Sequence, residues 1–176
     1  RWIDKGYEPV PISVNVSRMH LKDAEFIYYI EYLLDKYGIE KDLLELEITE
    51  TIENINANMM VKEAKKHGFT LLMDDFGSGY SSLNTLKSTP FDVLKIDRSF
   101  LNSFIESSRG QKIISHTIAM SHDIGLDLIA EGVETREQAD FLSASGCNAA
   151  QGFYFSKPIP TDEFEMLLKA QIEKNK

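Results

Sequence analysis

Cysteine is almost missing from this chain: Cys147 is the single one in 176 residues. A lone thiol excludes an internal disulfide, suits a reducing compartment, and reads as a small buried filler rather than a reactive group. Long apolar runs are lacking too. No stretch approaches the ~20 residues of a membrane-spanning helix, and the opening RWIDKGYEPV has no basic-then-apolar leader pattern. A cytoplasmic location is expected, with any membrane anchoring left to another domain of a parent protein. Cations are in the minority, 19 Lys and Arg against 28 Asp and Glu, for a net charge of −9. That argues against an electrostatic grip on a DNA or RNA polymer. It leaves room for a phosphate substrate, because acids grouped around divalent cations can present a locally positive face to an anion. With no linker or low-complexity segment to divide it, the chain 1–176 reads as one domain with a core of its own.

What is present is a series of short apolar segments, several of which end in a polar residue. Asn15 closes ISVN, Glu47 and Glu50 close LLELEITE, Asp74 and Asp75 close TLLMDD, Lys95 and Asp97 close VLKID, and Glu131 closes DLIAE. The segments begin near Ile12, Leu43, Thr70, Val93, Leu128 and Ala149, at the pitch of a repeating strand–helix unit. The stretches between them carry helical spacing. Phe26, Ile30, Leu33, Leu34 and Tyr37 run to a stop at Gly38, and Ile113, Ile114, Thr117, Ile118 and Ile124 to one at Gly125. Thr135 and Gln138 form a capping box ahead of a short helix ending at Gly146, and Phe164, Leu167, Leu168 and Ile172 mark a last helix.

Strand parity narrows the architecture. Ile12, Val14 and Val16 share one face and Ser13, Asn15 and Ser17 the other. Leu44, Leu46 and Ile48 oppose Glu45, Glu47 and Thr49, and Lys95 and Asp97 oppose Leu94 and Ile96. A doubly wound open sheet would need both faces apolar. One polar and one apolar face fits a barrel whose functional groups point into its mouth. The expectation is an incomplete (β/α)8 TIM-like barrel of about six parallel strands, closed either by further units or by a second chain.

A buried carboxylate is costly unless paired or bound to a cation, so several aimed at one place suggest a metal site at the open end of the barrel. Taken singly, these residues have plainer readings: Lys-x-Asp as a strand salt bridge, Asp-Asp before Phe-Gly-Ser-Gly as a turn, Asn15 as a satisfied core amide. Glu45 is assigned a structural role, and Glu134 is either an acid favoured by the helix dipole or one that orients the surroundings of Glu131. The four histidines, at 20, 67, 116 and 122, share no ligand spacing. Only the joint pattern favours a metal and phosphate site.

The strings SVNVS, LELEITE, DDFGSGYSSL, LKIDRSF, IAEGVET and QGFYFSKP, in this order from about Pro9 to Ile159, resemble the EAL family of bacterial cyclic di-GMP phosphodiesterases. The resemblance implies hydrolysis of one phosphodiester bond of cyclic di-GMP to the linear dinucleotide pGpG by two Mg²⁺ or Mn²⁺ ions. It implies that Asn15, Glu47 and Asp74 hold the first ion and that Asp74 and Asp75 hold the second. Lys95 then lies beside the attacking water and the phosphate, Glu131 is the general base, and Gln151 orients water or substrate. Glu50 orders a loop near the metals, and Asp97 and Glu134 support from outside. His20 departs from the family's usual glutamine. The Glu-Ala-Leu motif itself, with its ligand glutamate, is absent from the sequence. The chain is therefore expected to be an EAL domain without its N-terminal strand–helix units, inactive or nearly so by itself. Attached sensory or GGDEF-type domains and a homodimer across the barrel gap are the expected partners. A noncatalytic cyclic di-GMP-binding regulatory domain is the competing function, and an enolising barrel lyase is a third that the six ordered strings disfavour.

Overall fold

The computed structural model describes residues 2–23, 25–49, 55–77, 82–105 and 107–174. Six strands, β1 (Ile12–Asn15), β2 (Leu44–Thr49), β3 (Thr70–Phe76), β4 (Val93–Ile96), β5 (Asp127–Ala130) and β6 (Ala149–Ala150), form one sheet in sequence order. Every pairing is parallel. The helices are α1 (Phe26–Tyr37), α2 (Ile55–Lys66), α3 (Ser82–Ser88), α4 (Arg98–Ile105), α5 (Ser108–Asp123), α6 (Arg136–Ala144) and α7 (Thr161–Lys174). The architecture is a half-barrel of the (β/α)8 type, as the segment spacing implies.

The two faces of the sheet separate as the parity requires. Leu46, Ile48, Leu71, Met73, Leu94, Ile96, Leu128 and Ala130 are fully buried on the outer face. There they join one core with Ile27, Ile30 and Leu34 of α1, Val61 and Ala64 of α2, Leu101 of α4, Ile114 and Ile118 of α5, and Leu142 of α6. The opposite parity carries Glu47, Asp74 and Lys95, all buried. β1 and β6 are the two edges of the sheet among the described residues, and on β1 Ile12 and Val14 are 48% and 39% exposed. Among the described residues no helix is long and apolar enough to cross a membrane.

The helix boundaries follow their local chemistry. Gly38 adopts φ +60, which lets the Ile39 N–H reach back to Leu34 O at 2.9 Å and close α1. At α6 the Thr135 side chain accepts from the Gln138 N–H, and the Gln138 side chain accepts from the Thr135 N–H, so both halves of the capping box form. This cap fixes the entry to α6 immediately after the turn that carries Glu131.

Candidate active site at the strand ends

Successive parallel strands bring their C-terminal ends to one rim, and that is where the polar inner face ends. Lys95 of β4 is the centre. Its Nζ lies 2.9 Å from Glu47 of β2, 3.0 Å from Asp74 of β3 and 2.6 Å from Glu131, just beyond β5. Gln151, just beyond β6, donates through Nε2 to Glu131 Oε1 at 2.7 Å. Five consecutive strands thus place one side chain each in a single cluster. Three carboxylates around one ammonium leave a local charge of −2 (three times −1, plus 1).

Burial by itself would push the Lys95 ammonium down, but its contacts with Glu131, Glu47 and Asp74 outweigh it and hold the group well above the ordinary lysine range. These contacts favour the charged form of Lys95. Burial raises the Glu131 carboxyl above the ordinary glutamate range, and the nearby Asp74 and Glu47 charges add to this against the opposing pull of Lys95. The Lys95 and Gln151 contacts of Glu131 both fall on Oε1, and Oε2 accepts no hydrogen bond from the described residues. Glu45 lies one layer below Glu47. It too is raised, by burial first and by Glu47 second.

The surroundings fit a hard divalent cation. Asp74 Oδ1 is buried and makes no hydrogen bond of proper geometry, although the Lys95 charge is close. A buried carboxylate oxygen without a partner is costly. The available donors are oxygens, the set preferred by Mg²⁺, Mn²⁺ or Ca²⁺ rather than by softer ions. Among the described residues no three His, Cys, Asp or Glu side chains form a ready-made cage, and the Lys95 ammonium stands among the carboxylates.

The remaining sequence candidates are placed variously. Asn15 pairs in register with Glu47 on the next strand and is exposed rather than a buried core amide. Asp75 has φ +60, and the register with β4 shifts between Met73 and Phe76. This bulge breaks the alternation that would send Asp74 and Asp75 to opposite faces. Asp is among the few non-glycine residues that tolerate this conformation. Asp97 caps α4, accepting from the Ser99 N–H at 2.8 Å. Glu134 pairs with Arg98 at 2.5 Å. Glu50 falls outside the described residues. His20 stacks on Phe26, and His67, at the end of α2, faces Glu31 and Glu63 with its two ring nitrogens at 2.7 and 3.1 Å. Neither histidine belongs to the cluster. Cys147 is half-buried, and its thiol is pushed up by burial, consistent with an inert filler.

A cavity of about 620 Å³ opens beside the cluster, sharing Glu131 and Gln151 with it and lined further by Arg98, Phe153 and Lys157. This is the size of a small-molecule site. Arg98 and Lys157 are the two cations on its wall. Arg98 lies within LKIDRSF, but nothing in its spacing marks it as a site residue.

Residues 1–158 match the EAL domain family. The chain is 37% identical over 168 residues to the cyclic di-GMP phosphodiesterase NbdA of Pseudomonas aeruginosa, covering 94% of this chain and 22% of that protein. It is 36% identical over 165 residues to the bifunctional diguanylate cyclase/cyclic di-GMP phosphodiesterase MucR of the same organism, covering 92% of this chain and 24% of MucR. The chain thus spans about a quarter or less of the length of these curated relatives. Among solved structures, the EAL domain of Mycobacterium smegmatis DcpA superposes with a TM-score of 0.90 at 36% identity, over 97% of this chain and 78% of that one. The PaMucR phosphodiesterase in complex with c-di-GMP does so with a TM-score of 0.82 at 34% identity, over 93% and 67%.

Proposed function

Because the chain belongs to the EAL domain family, we propose that its strand-end site serves the hydrolysis of cyclic di-GMP to the linear dinucleotide pGpG. The observation that carries this reading is the convergence of Glu47, Asp74, Lys95, Glu131 and Gln151 from five successive strands beside one cavity. The names of NbdA and MucR, and the c-di-GMP complex of the PaMucR phosphodiesterase, support the substrate.

Asn15, Glu47, Asp74 and Asp75 are the residues that would hold Mg²⁺ or Mn²⁺. Bound there, such ions would neutralise the phosphodiester oxygens and make a water molecule more acidic. The chain's own residues provide the rest. Lys95, as an ammonium, stabilises negative charge that grows on the phosphate oxygens. Glu131, anchored through Oε1, has Oε2 available to take the proton of the attacking water. Its raised affinity for protons suits a general base better than an ordinary surface glutamate would. Gln151 holds the same Oε1 of Glu131 that Lys95 contacts. The roles of Glu50, Asp97 and Glu134 are supporting ones: ordering a neighbouring loop, capping α4, and holding Arg98.

The test is conversion of cyclic di-GMP to pGpG with Mg²⁺ or Mn²⁺, followed by mass spectrometry. It is run on this chain and on a chimera that adds the part of the DcpA domain this chain does not cover. The chain, which has no Glu-Ala-Leu motif, is expected to be at least about 100-fold slower than the chimera, since the number of charged ligands sets affinity for a hard dication. A chimera that binds cyclic di-GMP without converting it would overturn hydrolysis in favour of a regulatory binding domain.

The relatives are longer proteins, and a sensory or GGDEF-type domain is the proposed neighbour in the whole protein. A second copy of the chain is the proposed partner at the β1 edge, where Ile12 and Val14 are exposed and strand hydrogen-bonding groups are open. Sedimentation should show a concentration-dependent dimer that Val14→Lys abolishes; a monomer at all concentrations would exclude it.

A further inference from the structure

We infer that Arg98 is a positioning residue for Glu131, acting through the turn 131–134. The inference rests on the phosphodiesterase reading for its functional meaning and on the packing of this turn for its physical basis. Glu131 is followed by Gly132, whose φ of +67 is open to few other residues. The turn directly behind the base would therefore be its loosest link unless something outside held it.

Arg98 does so in two ways. Its aliphatic stem lies directly on Gly132: a Cβ placed on that glycine would come 2.4 Å from Arg98 Cγ, 2.6 Å from Cβ and 2.8 Å from Cδ. Its guanidinium then reaches Glu134 at 2.5 Å. The stem thus takes the space that a side chain at 132 would fill, and the charged end ties down the far side of the turn. The other flank is held by the segment beyond β6. The Val133 N–H donates to Gln151 O at 3.1 Å, and the Tyr154 N–H donates to Val133 O at 3.0 Å. A Cβ on Gly152 would come 2.2 Å from Val133 O, so the two backbones are in direct contact. Val133 itself is completely buried. At the start of the turn, the Glu131 N–H donates to Ile96 O at 3.0 Å.

The turn is thus gripped between α4 and the β6 extension, and Arg98 provides the α4 side of the grip. Arg98 is the first residue of α4 and follows Asp97, whose carboxylate caps that helix. Asp97 and Arg98 thereby link the end of the strand that carries Lys95 to the turn that carries Glu131. Catalysis is sensitive to displacements of about 1 Å in a reacting group, so a loosened turn should slow the chemical step without weakening substrate binding.

The test uses three variants: Arg98→Met, which keeps the stem and removes the charge; Arg98→Ala, which removes both; and the exchange Arg98→Glu with Glu134→Arg. In the 176-residue chain, amide hydrogen exchange at Val133 is expected to speed up about tenfold or more in Arg98→Ala, less in Arg98→Met, with Leu71 and Leu94 unchanged. In the chimera, kcat is expected to fall about tenfold or more with KM within about twofold, and the exchanged pair to recover most of it. If Arg98→Ala does not fold, Arg98→Met and the exchanged pair decide. A raised KM with kcat intact would make Arg98 a substrate-binding cation and overturn the inference. Faster exchange with kcat unchanged would leave it a purely structural contact, and exchange unchanged in all variants would also overturn it. If the unmutated chimera shows no turnover, it is the phosphodiesterase reading that fails, while the Val133 exchange rates still support or reject the grip on the turn.

Discussion

Glu131→Gln is expected to lower the turnover of cyclic di-GMP by about 10²- to 10⁴-fold in an active form of the domain, the range lost when a general base is removed. The amide is nearly isosteric. Its oxygen can still receive Lys95 Nζ and Gln151 Nε2, the two groups that now lie 2.6 and 2.7 Å from Oε1. Binding of cyclic di-GMP and thermal stability should therefore change little, and kcat should carry the loss. The pH profile provides a second check. Because burial raises the Glu131 carboxyl, activity should fall off at a pH above the ordinary glutamate range, as the base takes up its proton. For stability the sign is opposite: a carboxyl raised in the folded state disfavours folding when ionised and favours it as the pH drops through the raised value. An acid limb unchanged in the Gln variant, or turnover unchanged, would show that Glu131 is not the base. The limb is located in the metal-loaded enzyme by comparison with the Gln variant.

Lys95→Met is expected to have the larger effect on the fold. Lys95 is 4% exposed and is the ammonium that Glu47, Asp74 and Glu131 all approach. Removing it leaves three carboxylates facing one another in a buried place. Loss of one side of a buried ion pair typically costs about 3–5 kcal/mol, and like charges left behind belong at the upper end of that range. The loss should shrink as the pH falls and the carboxylates take up protons. It should also shrink when Mn²⁺ or Mg²⁺ is added, because an ion that binds only the folded state raises its stability by mass action. Thermal melts at several pH values, with and without the cation, read both effects. A variant that melts like the unmutated chain at neutral pH would refute the electrostatic account of the cluster. A cation that shifts neither chain would count against Glu47 and Asp74 as ligands.

Much of the half-barrel was legible from parity. The alternation of Leu44, Leu46 and Ile48 with Glu45, Glu47 and Thr49 marks β2 as a strand with one apolar and one polar face, because side chains repeat every second residue whatever the neighbours. The helix stops were legible for an equally local reason: Gly38 takes a conformation that other residues resist, and Thr135 with Gln138 satisfies its own helix end. The inner-face placement of Glu47 and Lys95 follows from the same periodicity. The substrate came from elsewhere, from the likeness to a family and not from any spacing.

Other features depend on chain segments far apart in sequence. That Lys95 stands between three carboxylates depends on strand register, which sets how far each C-terminal end projects. The bulge that breaks alternation at Asp75 is a property of the β3–β4 pairing. Ile12 and Val14 have a core-like pattern in sequence yet meet solvent on the edge strand β1, which only the packing around that strand decides. The grip of Arg98 on Gly132 and Glu134 joins residues more than thirty positions apart that share no periodicity. What the sequence by itself determined is which residues share a face and where each helix stops, since these depend on bond geometry within a few residues. What only the tertiary structure decided is which charges meet, which buried oxygen is left without a hydrogen bond and which turn is held. Those depend on distances between strands and helices that no local rule contains.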